Sequence, residues 1–340
     1  MRVLFMGTPE FSVPTLDAVA DRHEIVAVAT RPDKPRGRGQ QVTDSPVKEW
    51  ALRHGIQVQQ PPTLRSPEAQ EQLASTSPEV IVVVAYGLIL PPEVLSMPVR
   101  GCINVHASLL PRHRGAAPVA WAILSGDRVS GVTTMLMDEG LDTGAILMQK
   151  EDPLDPRDTT PQVAARFARL GAELLVETLD LWGKGALEPI PQDDAEATLA
   201  PRFKKQDGEI DWSRTAVEID RQVRALQPWP GAHTFVRGQR LRIWAADPSS
   251  LEDGEGPAGG TPSPATQSLA TPSFATPSPA SLLAPGTVAG SGQDGLTVAC
   301  GGGELLQIDE VQLAGRKRQA VDDFLRGYEL AVGTRLGSEE

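Results

Sequence analysis

Cys102-Ile-Asn-Val-His-Ala-Ser-Leu-Leu-Pro-Arg-His-Arg-Gly115 starts as an apolar strand, breaks at Pro111, and runs on as a basic loop ending in glycine. Side chains alternate between faces along a strand, so Asn104, His106 and Ser108 are expected on one side. An amide, an imidazole and a hydroxyl would then converge where a strand runs out, which is where open α/β sheets bind ligands. A lone strand histidine is more often a satisfied core residue than a catalyst. A second stretch shifts that reading. Val132-Thr-Thr-Met-Leu-Met-Asp-Glu-Gly-Leu-Asp-Thr-Gly144 is a strand followed by a turn that carries Asp138, Gly140, Asp142 and Gly144. A carboxylate on such a turn can reach an imidazole on a neighbouring strand, and this pairing orients and tunes an imidazole for proton transfer.

Outward from these two stretches, the first half of the chain alternates short apolar runs with helical patterns, as an α/β sheet does. Strands are expected at Val3–Met6, Ile25–Thr30, Val80–Tyr86, Cys102–His106, Gly131–Met137 and Ala145–Gln149. Helices are expected at Val13–Ala20, Pro46–His54, Ala117–Leu124 and Thr160–Trp182. In the last of these, Val163, Phe167, Leu170, Leu174 and Leu175 share one face at helical spacing and read as core. The chain turns Pro- and Asp-rich around Leu187–Pro201, a linker composition. We divide it into a first domain over 1–190, a linker over 191–206 and a second domain over 207–335. The second domain opens with Ile210-Asp-Trp-Ser213 as a candidate N-cap and a helix over Thr215–Leu226. Short strands follow at Thr234–Val236, Leu241–Ala245, Gly286–Ala289, Leu296–Ala299 and Glu304–Val311, the pattern of a small β-barrel. An insert over 249–285, in which Ala-Thr-Pro-Ser recurs, has too little apolar surface to offset the entropy of ordering it, so it reads as a disordered loop.

Bulk properties exclude several classes. At 340 residues the chain can bury two cores, and its hydrophobic content of 40 % is that of a soluble protein. The longest apolar run, Val80 to Leu90, is too short to span a bilayer. Two cysteines, Cys102 and Cys300, indicate neither a disulfide framework nor a zinc knuckle, so a reducing cytoplasm is expected. After the first strand, Met6-Gly-Thr-Pro-Glu-Phe11 has one glycine where a dinucleotide fold needs three, which argues against nicotinamide chemistry. His106, His113, Asp138 and Asp142 could be imagined around a metal, but they lack ligand spacing, and no metal is expected. His23, His54 and His233 read as bystanders.

Net charge is −12, yet two segments are basic. The polar loop Arg31–Val42 carries Arg31, Lys34, Arg36 and Arg38 against Asp33, with Gly37 and Gly39 around Arg38. From Arg202 to Arg242 nine cations face five acids. A charged loop is usually only solvated; this asymmetry in an acidic chain is also what a protein touching RNA with one face shows.

The pattern Asn-x-His-x-Ser-Leu-Leu-Pro-x-x-Arg-Gly followed by Leu-Asp-Thr-Gly resembles the folate-dependent formyltransferases. Gly7-Thr-Pro-Glu-Phe11, the Pro-Asp-Lys-Pro-x-Gly-Arg-Gly loop, Ser45-Pro-Val-Lys48, Val83–Pro91, Gly115-Ala-Ala-Pro118, Lys205 to Trp212 and Pro228-Trp-Pro-Gly231 extend the resemblance. It covers nearly the whole chain outside the insert and points to the branch that acts on Met-tRNA. It implies a Rossmann-like α/β formyltransferase domain followed by a small oligonucleotide-binding-like β-barrel domain. It also implies 10-formyltetrahydrofolate as co-substrate and the α-amino group of methionyl initiator tRNA as acceptor, for translation initiation. Catalytic Asn, His and Asp fall on Asn104, His106 and Asp142, and the folate-contacting stretch on Ser108, Leu109, Leu110 and Pro111. The tRNA-contacting loop arginine falls on Arg38, beside Lys34 and Arg36, and a reactive-site lysine on Lys205. No membrane contact and no obligate protein partner are expected. Rival readings are a formyltransferase for a small amine, a hydrolase releasing formate, and an RNA-binding module with a silent enzyme domain.

Overall fold

The computed structural model describes residues 1–36, 41–248, 283–292 and 295–337. They form two compact units, Met1–Arg202 and Phe203–Glu340. The first unit contains β1 (Arg2–Gly7), α1 (Val13–Ala20), β2 (Glu24–Ala29), β3 (Lys34–Arg36), β4 (Gln41–Thr43), α2 (Pro46–Arg53), β5 (Val58–Gln59) and α3 (Pro67–Ala74). It continues with β6 (Val80–Val84), α4 (Pro92–Leu95), β7 (Cys102–His106), α5 (Pro118–Ser125), β8 (Val129–Leu136), β9 (Ile146–Pro153) and α6 (Thr160–Gly183). Among the described residues, seven of these strands make one sheet in the order β5-β2-β1-β6-β7-β8-β9.

The sheet is parallel from β5 to β7 and antiparallel from β7 to β9. The central strands β1 and β6 are buried along nearly their whole length, as a sheet covered on both faces requires. The switch at β7 matters for the site. His106 pairs with Thr133 and Ile103 with Leu136, so β8 enters at the end where β7 stops. Residues 107–128 therefore stay at the carboxyl end of β7 instead of crossing the sheet. The long helix α6 covers this edge with Val163, Phe167, Leu174, Leu175 and Leu179, all within 2 % of full burial. Leu170, expected among them, is only half-buried, while Gly171 faces the sheet. A Cβ at Gly171 would come within 2.8 Å of Val105, so its absence sets how closely α6 approaches β7.

Several expectations are revised. Arg31–Val42 is not a plain loop: β3 and β4 pair antiparallel, Pro35 opposite Val42. Residues 37–40, and with them Arg38, lie outside the described residues. β5, α3 and α4 are too short, or too polar, for periodicity to reveal. The stretch read as a linker is bonded to the first unit from Ile190 to Ala200, through Ile190 to Ile146 and through Thr198 and Ala200 to Arg114.

The second unit has α7 (Ala216–Ala225), β10 (His233–Val236), β11 (Gln239–Asp247), β12 (Val288–Gly292), β13 (Gly295–Ala299), β14 (Leu305–Leu313), β15 (Gln319–Ala320) and α8 (Val321–Gly327). Its strands form a curled antiparallel sheet, a half-barrel, in the order β10-β11-β14-β13-β12, with β15 on β14. The N-cap of α7 is Thr215 and not the Ile210–Ser213 segment. Thr215 and Glu218 form a reciprocal capping box that satisfies two backbone N–H groups at the helix start. The core is filled by Trp212, Ile219, Val223, Leu241, Ile243, Val298, Leu306, Ile308 and Phe324. Of the insert expected over 249–285, residues 249–282 lie outside the described residues.

Burial makes both thiols inert. Cys102 and Cys300 are each 1 % exposed, and desolvation pushes both thiol pKa values up to about 12. At pH 8 such a thiol holds on the order of a thousandfold less thiolate than a free one. Iodoacetamide at pH 8 should therefore leave both cysteines unmodified in the folded protein and alkylate both in urea. Rapid labelling of either one in the folded state would contradict the packing described.

Candidate active site

The strand β7 delivers Asn104 and His106 to one face, two residues apart and about 7 Å along the chain. His106 is the fixed point. Its ring is 6 % exposed, with Nε2 3.0 Å from the His113 carbonyl and Nδ1 3.6 Å from Asp142 Oδ2. A carbonyl can only accept, so Nε2 carries a hydrogen. Nδ1 is thereby the ring nitrogen that faces the carboxylate.

Asp142 reaches His106 by an indirect route. The loop after β8 starts next to Cys102, whose carbonyl accepts from Met137 N–H at 2.8 Å. That is four residues, about 13 Å, before His106. The loop doubles back over the sheet and holds Asp142 in the left-handed region at φ 54°. Asp142 Oδ2 also accepts from Gly115 N–H at 2.8 Å. Two glycines make this possible. A Cβ at Gly144 would sit 1.7 Å from the Leu136 carbonyl oxygen, and one at Gly115 (φ +129°) 2.6 Å from that of Ala200.

Gln192 joins the pieces, and sequence reasoning missed it. Its Nε2 donates to the Asp142 and Gly144 carbonyls at 2.9 and 2.7 Å. Its Oε1 accepts from Arg114 Nε and Nη2 at 2.9 and 2.8 Å. One amide thus ties the Asp142 loop to the loop after β7. The signal in the sequence was only a glutamine in a Pro/Asp-rich stretch.

Asn104 Nδ2 donates to the Val83 carbonyl at 3.1 Å, which leaves its second hydrogen uncommitted. Asn104 Oδ1 is buried without a partner. A buried acceptor left unpaired is costly, so it marks a place where a donor is expected.

Ser108 lies beyond β7, which ends at His106, so strand alternation does not set its direction. Its buried hydroxyl donates to the Arg112 carbonyl at 2.7 Å and closes the turn. Leu110 N–H donates to Thr133 Oγ1 and its carbonyl accepts from Gln149 Nε2, which pins the loop to β8 and β9. Leu109 and Pro111 are left half-buried on this ledge and Leu110 is buried. The groups weighed for a metal are engaged elsewhere: His113 Nε2 faces Asp127 at 2.7 Å, and Asp138 accepts from Gly140 N–H and Thr143 within its own loop. Lys34 and Arg36 lie on β3, and Lys205 is exposed at the start of a short turn in the second unit. A cleft of about 540 Å³ beside Glu10, Asp17, Trp50 and His54 contains none of the catalytic candidates.

Comparison with known proteins places this geometry in context. The family model described as "Formyl transferase" matches residues 1–179, and that described as "Formyl transferase, C-terminal domain" matches residues 202–329. The chain is 47 % identical to "Methionyl-tRNA formyltransferase" of Geotalea daltonii, covering 100 % of this chain and 99 % of the relative. It is 44 % identical to the protein of the same name from Myxococcus xanthus, covering 98 % and 97 %. An N-formyltransferase from Helicobacter canadensis, solved with folinic acid and dTDP-3-aminofucose, superposes with a TM-score of 0.62 at 16 % identity, covering 90 % of this chain and 98 % of that one. HypX from Aquifex aeolicus, solved with tetrahydrofolic acid, gives 0.59 at 17 %, covering 96 % and 47 %. At these identities the two structures speak for the fold.

Gln192→Ala should free the Asp142 loop while leaving the sheet intact. A displacement of about 1 Å at a reacting group costs up to a hundredfold in rate, so turnover should drop by roughly ten- to a hundredfold. Wild-type turnover in this variant would show that the Asp142 loop holds its place without the staple.

Proposed function

The chain belongs to the methionyl-tRNA formyltransferases, and from that premise we propose that it moves the formyl group of 10-formyltetrahydrofolate to the α-amino group of methionyl initiator tRNA in the cytoplasm. The carrying observation is the His106 ring held between the His113 carbonyl and the Asp142 carboxylate, on the strand face that also presents Asn104. The reduced folate supplies an activated formyl group, so no covalent enzyme intermediate is needed.

In this reading the neutral amine attacks the formyl carbon, and the bond from that carbon to the folate nitrogen breaks. One proton leaves the amine and one arrives on the folate nitrogen. A group that holds a proton in between closes that balance, and His106 Nδ1 beside Asp142 is suited to it. Oxyanion charge on the formyl oxygen is met by the uncommitted Asn104 N–H and by a protonated Nδ1. Such preorganised donors usually make the largest contribution to acyl transfer. The buried, unpaired Asn104 Oδ1 fits an N–H donor from the amine. Ser108, Leu109, Leu110 and Pro111 would bear the folate on the ledge that Thr133 and Gln149 hold.

Support for an RNA acceptor comes from charge. In the second unit Arg242 and Arg318 lie 3.8 and 4.8 Å from the Trp244 ring centre. Burial, and then the like charges of Arg240 and Arg318, hold the Arg242 pKa below its ordinary value. Arg318 is ion-paired with Glu310, so Arg242, crowded by like charges, is the cation here that would gain from phosphate. Lys34, Arg36, Arg38 and Lys205 are proposed as further tRNA contacts, although a small amine would need none of them.

Asn104→Ala, His106→Ala and Asp142→Ala should each lower turnover by at least roughly a hundredfold, the scale of a single oxyanion or acid–base group. Binding of the folate should survive. Near-normal turnover in any variant removes that residue from the mechanism. Arg38→Ala should weaken Met-tRNA binding and reduce the slope of log affinity against log salt by about one. Affinity for the folate should stay unaltered, and parallel salt lines with equal intercepts would mean the arm is only solvated.

A further inference from the structure

His113 and Asp127 form a second His–carboxylate pair beside the first. His113 Nε2 lies 2.7 Å from Asp127 Oδ2, and the two side chains are 5 % and 14 % exposed. Arg112 Nη2 reaches the other carboxylate oxygen at 2.7 Å. Asp127 follows Gly126, the left-handed cap that ends α5. The backbone of His113 is also unusual. It sits at φ 59°, a region L-residues avoid because Cβ crowds the following carbonyl. Such a conformation persists only where its surroundings over-determine it. Here His113 N–H donates to Thr198 Oγ1 at 2.8 Å and the ring is tied to Asp127, while the carbonyl between them accepts from His106 Nε2 at 3.0 Å.

We infer that the His113–Asp127 pair is a positioning unit for the reaction, which holds the His113 carbonyl on His106 Nε2 and so decides which imidazole nitrogen handles the proton. This rests on the reading of His106 as the proton-transfer residue. A neutral imidazole can carry its hydrogen on either nitrogen, and the choice is set by what the other groups accept. With the carbonyl in place the hydrogen stays on Nε2 and Nδ1 faces Asp142. With the carbonyl displaced, the hydrogen can settle on Nδ1 against the carboxylate, and the basic nitrogen then points away from it. The charged and titratable groups around this unit are Asp142 at His106 Nδ1, Asp127 at the His113 ring, and Arg112 behind Asp127.

Folding of the loop does not explain the pair. The loop is already anchored by Ser108 Oγ to the Arg112 carbonyl, by Arg114 N–H to the Thr198 carbonyl and by Ala200 N–H to the Arg114 carbonyl, at 2.7, 2.8 and 2.7 Å. A buried ion pair is also a weak source of stability, because desolvation offsets its attraction. Arg114 N–H shares a peptide plane with the His113 carbonyl, so its bond to Thr198 steadies that plane from one side, and the His113–Asp127 pair holds the same residue from its side chain.

The test uses the full chain carrying Asp127→Ala or Asp127→Asn, assayed with Met-tRNA and 10-formyltetrahydrofolate, with the histidine ring nitrogens followed by 15N NMR. In Asp127→Ala, kcat should fall by about ten- to a hundredfold while both KM values stay within about twofold. The His106 signals should move from the Nε2–H tautomer toward a mixture. Asp127→Asn keeps an acceptor for His113 and should recover most of both the rate and the tautomer. Wild-type kcat and tautomer in Asp127→Ala would overturn the inference. So would a loss that Asp127→Asn does not repair and that comes with a lowered unfolding midpoint and an unaltered His106 tautomer, the behaviour of a structural contact. His106→Ala serves as the reference: full turnover there would sink the reading of His106 itself, whereas an inactive His106→Ala beside a normal Asp127→Ala would sink only the role of the pair.

Discussion

An imidazole fixed at one nitrogen by a carbonyl and faced at the other by a carboxylate is the constraint on which the site depends. His106 has a carbonyl on one side and a carboxylate on the other, and neither partner is nearby in the chain by default. The carbonyl comes from a residue in the left-handed region, and the carboxylate from a loop that leaves the far end of the strand and returns. Two glycines without room for a Cβ and a glutamine bridging the two loops hold this arrangement, and the carboxylate under His113 is inferred to add to it. The antiparallel entry of β8 is the fold-level condition, since it keeps the loop after β7 at the catalytic end.

The alternation of Cys102–His106 and a Gly-flanked turn carrying Asp138 and Asp142 pointed to a histidine–carboxylate pair, because strand period and turn composition are local properties, but only the family resemblance chose Asp142, the one the structure sets beside His106. The helices with strong periodicity were equally plain: Val13–Ala20 has the expected bounds, and α6 differs from expectation by one residue. What escaped was set by tertiary partners. The strand alternation was carried on to Ser108 because nothing local says that the strand ends two residues earlier. His113 was weighed only as a metal ligand because Asp127, its partner, lies across a helix. Gln192 looked like linker because its hydrogen bonds all go to residues at least 48 positions away in the chain. The short strands β3, β4 and β5 carry too few residues for a period to register.

The two units differ physically. The first is a covered, mostly parallel sheet whose interior is apolar and whose candidate site lies at one strand end. The second is a small curled sheet with a compact core and with Arg242 and Arg318 against Trp244, the face proposed for a phosphate backbone. An acidic chain with locally basic surfaces can bind one polyanion selectively without adhering to all of them.

The account turns on where the formyl group goes. Purified protein given formyl-labelled 10-formyltetrahydrofolate with methionyl initiator tRNA, uncharged tRNA, or a small primary amine separates the possibilities in one measurement of labelled products. The label should appear on the α-amino group of the tRNA-borne methionine at a rate that vanishes when the tRNA is uncharged. Label released as formate irrespective of tRNA, or transferred to the small amine as readily as to Met-tRNA, would contradict it.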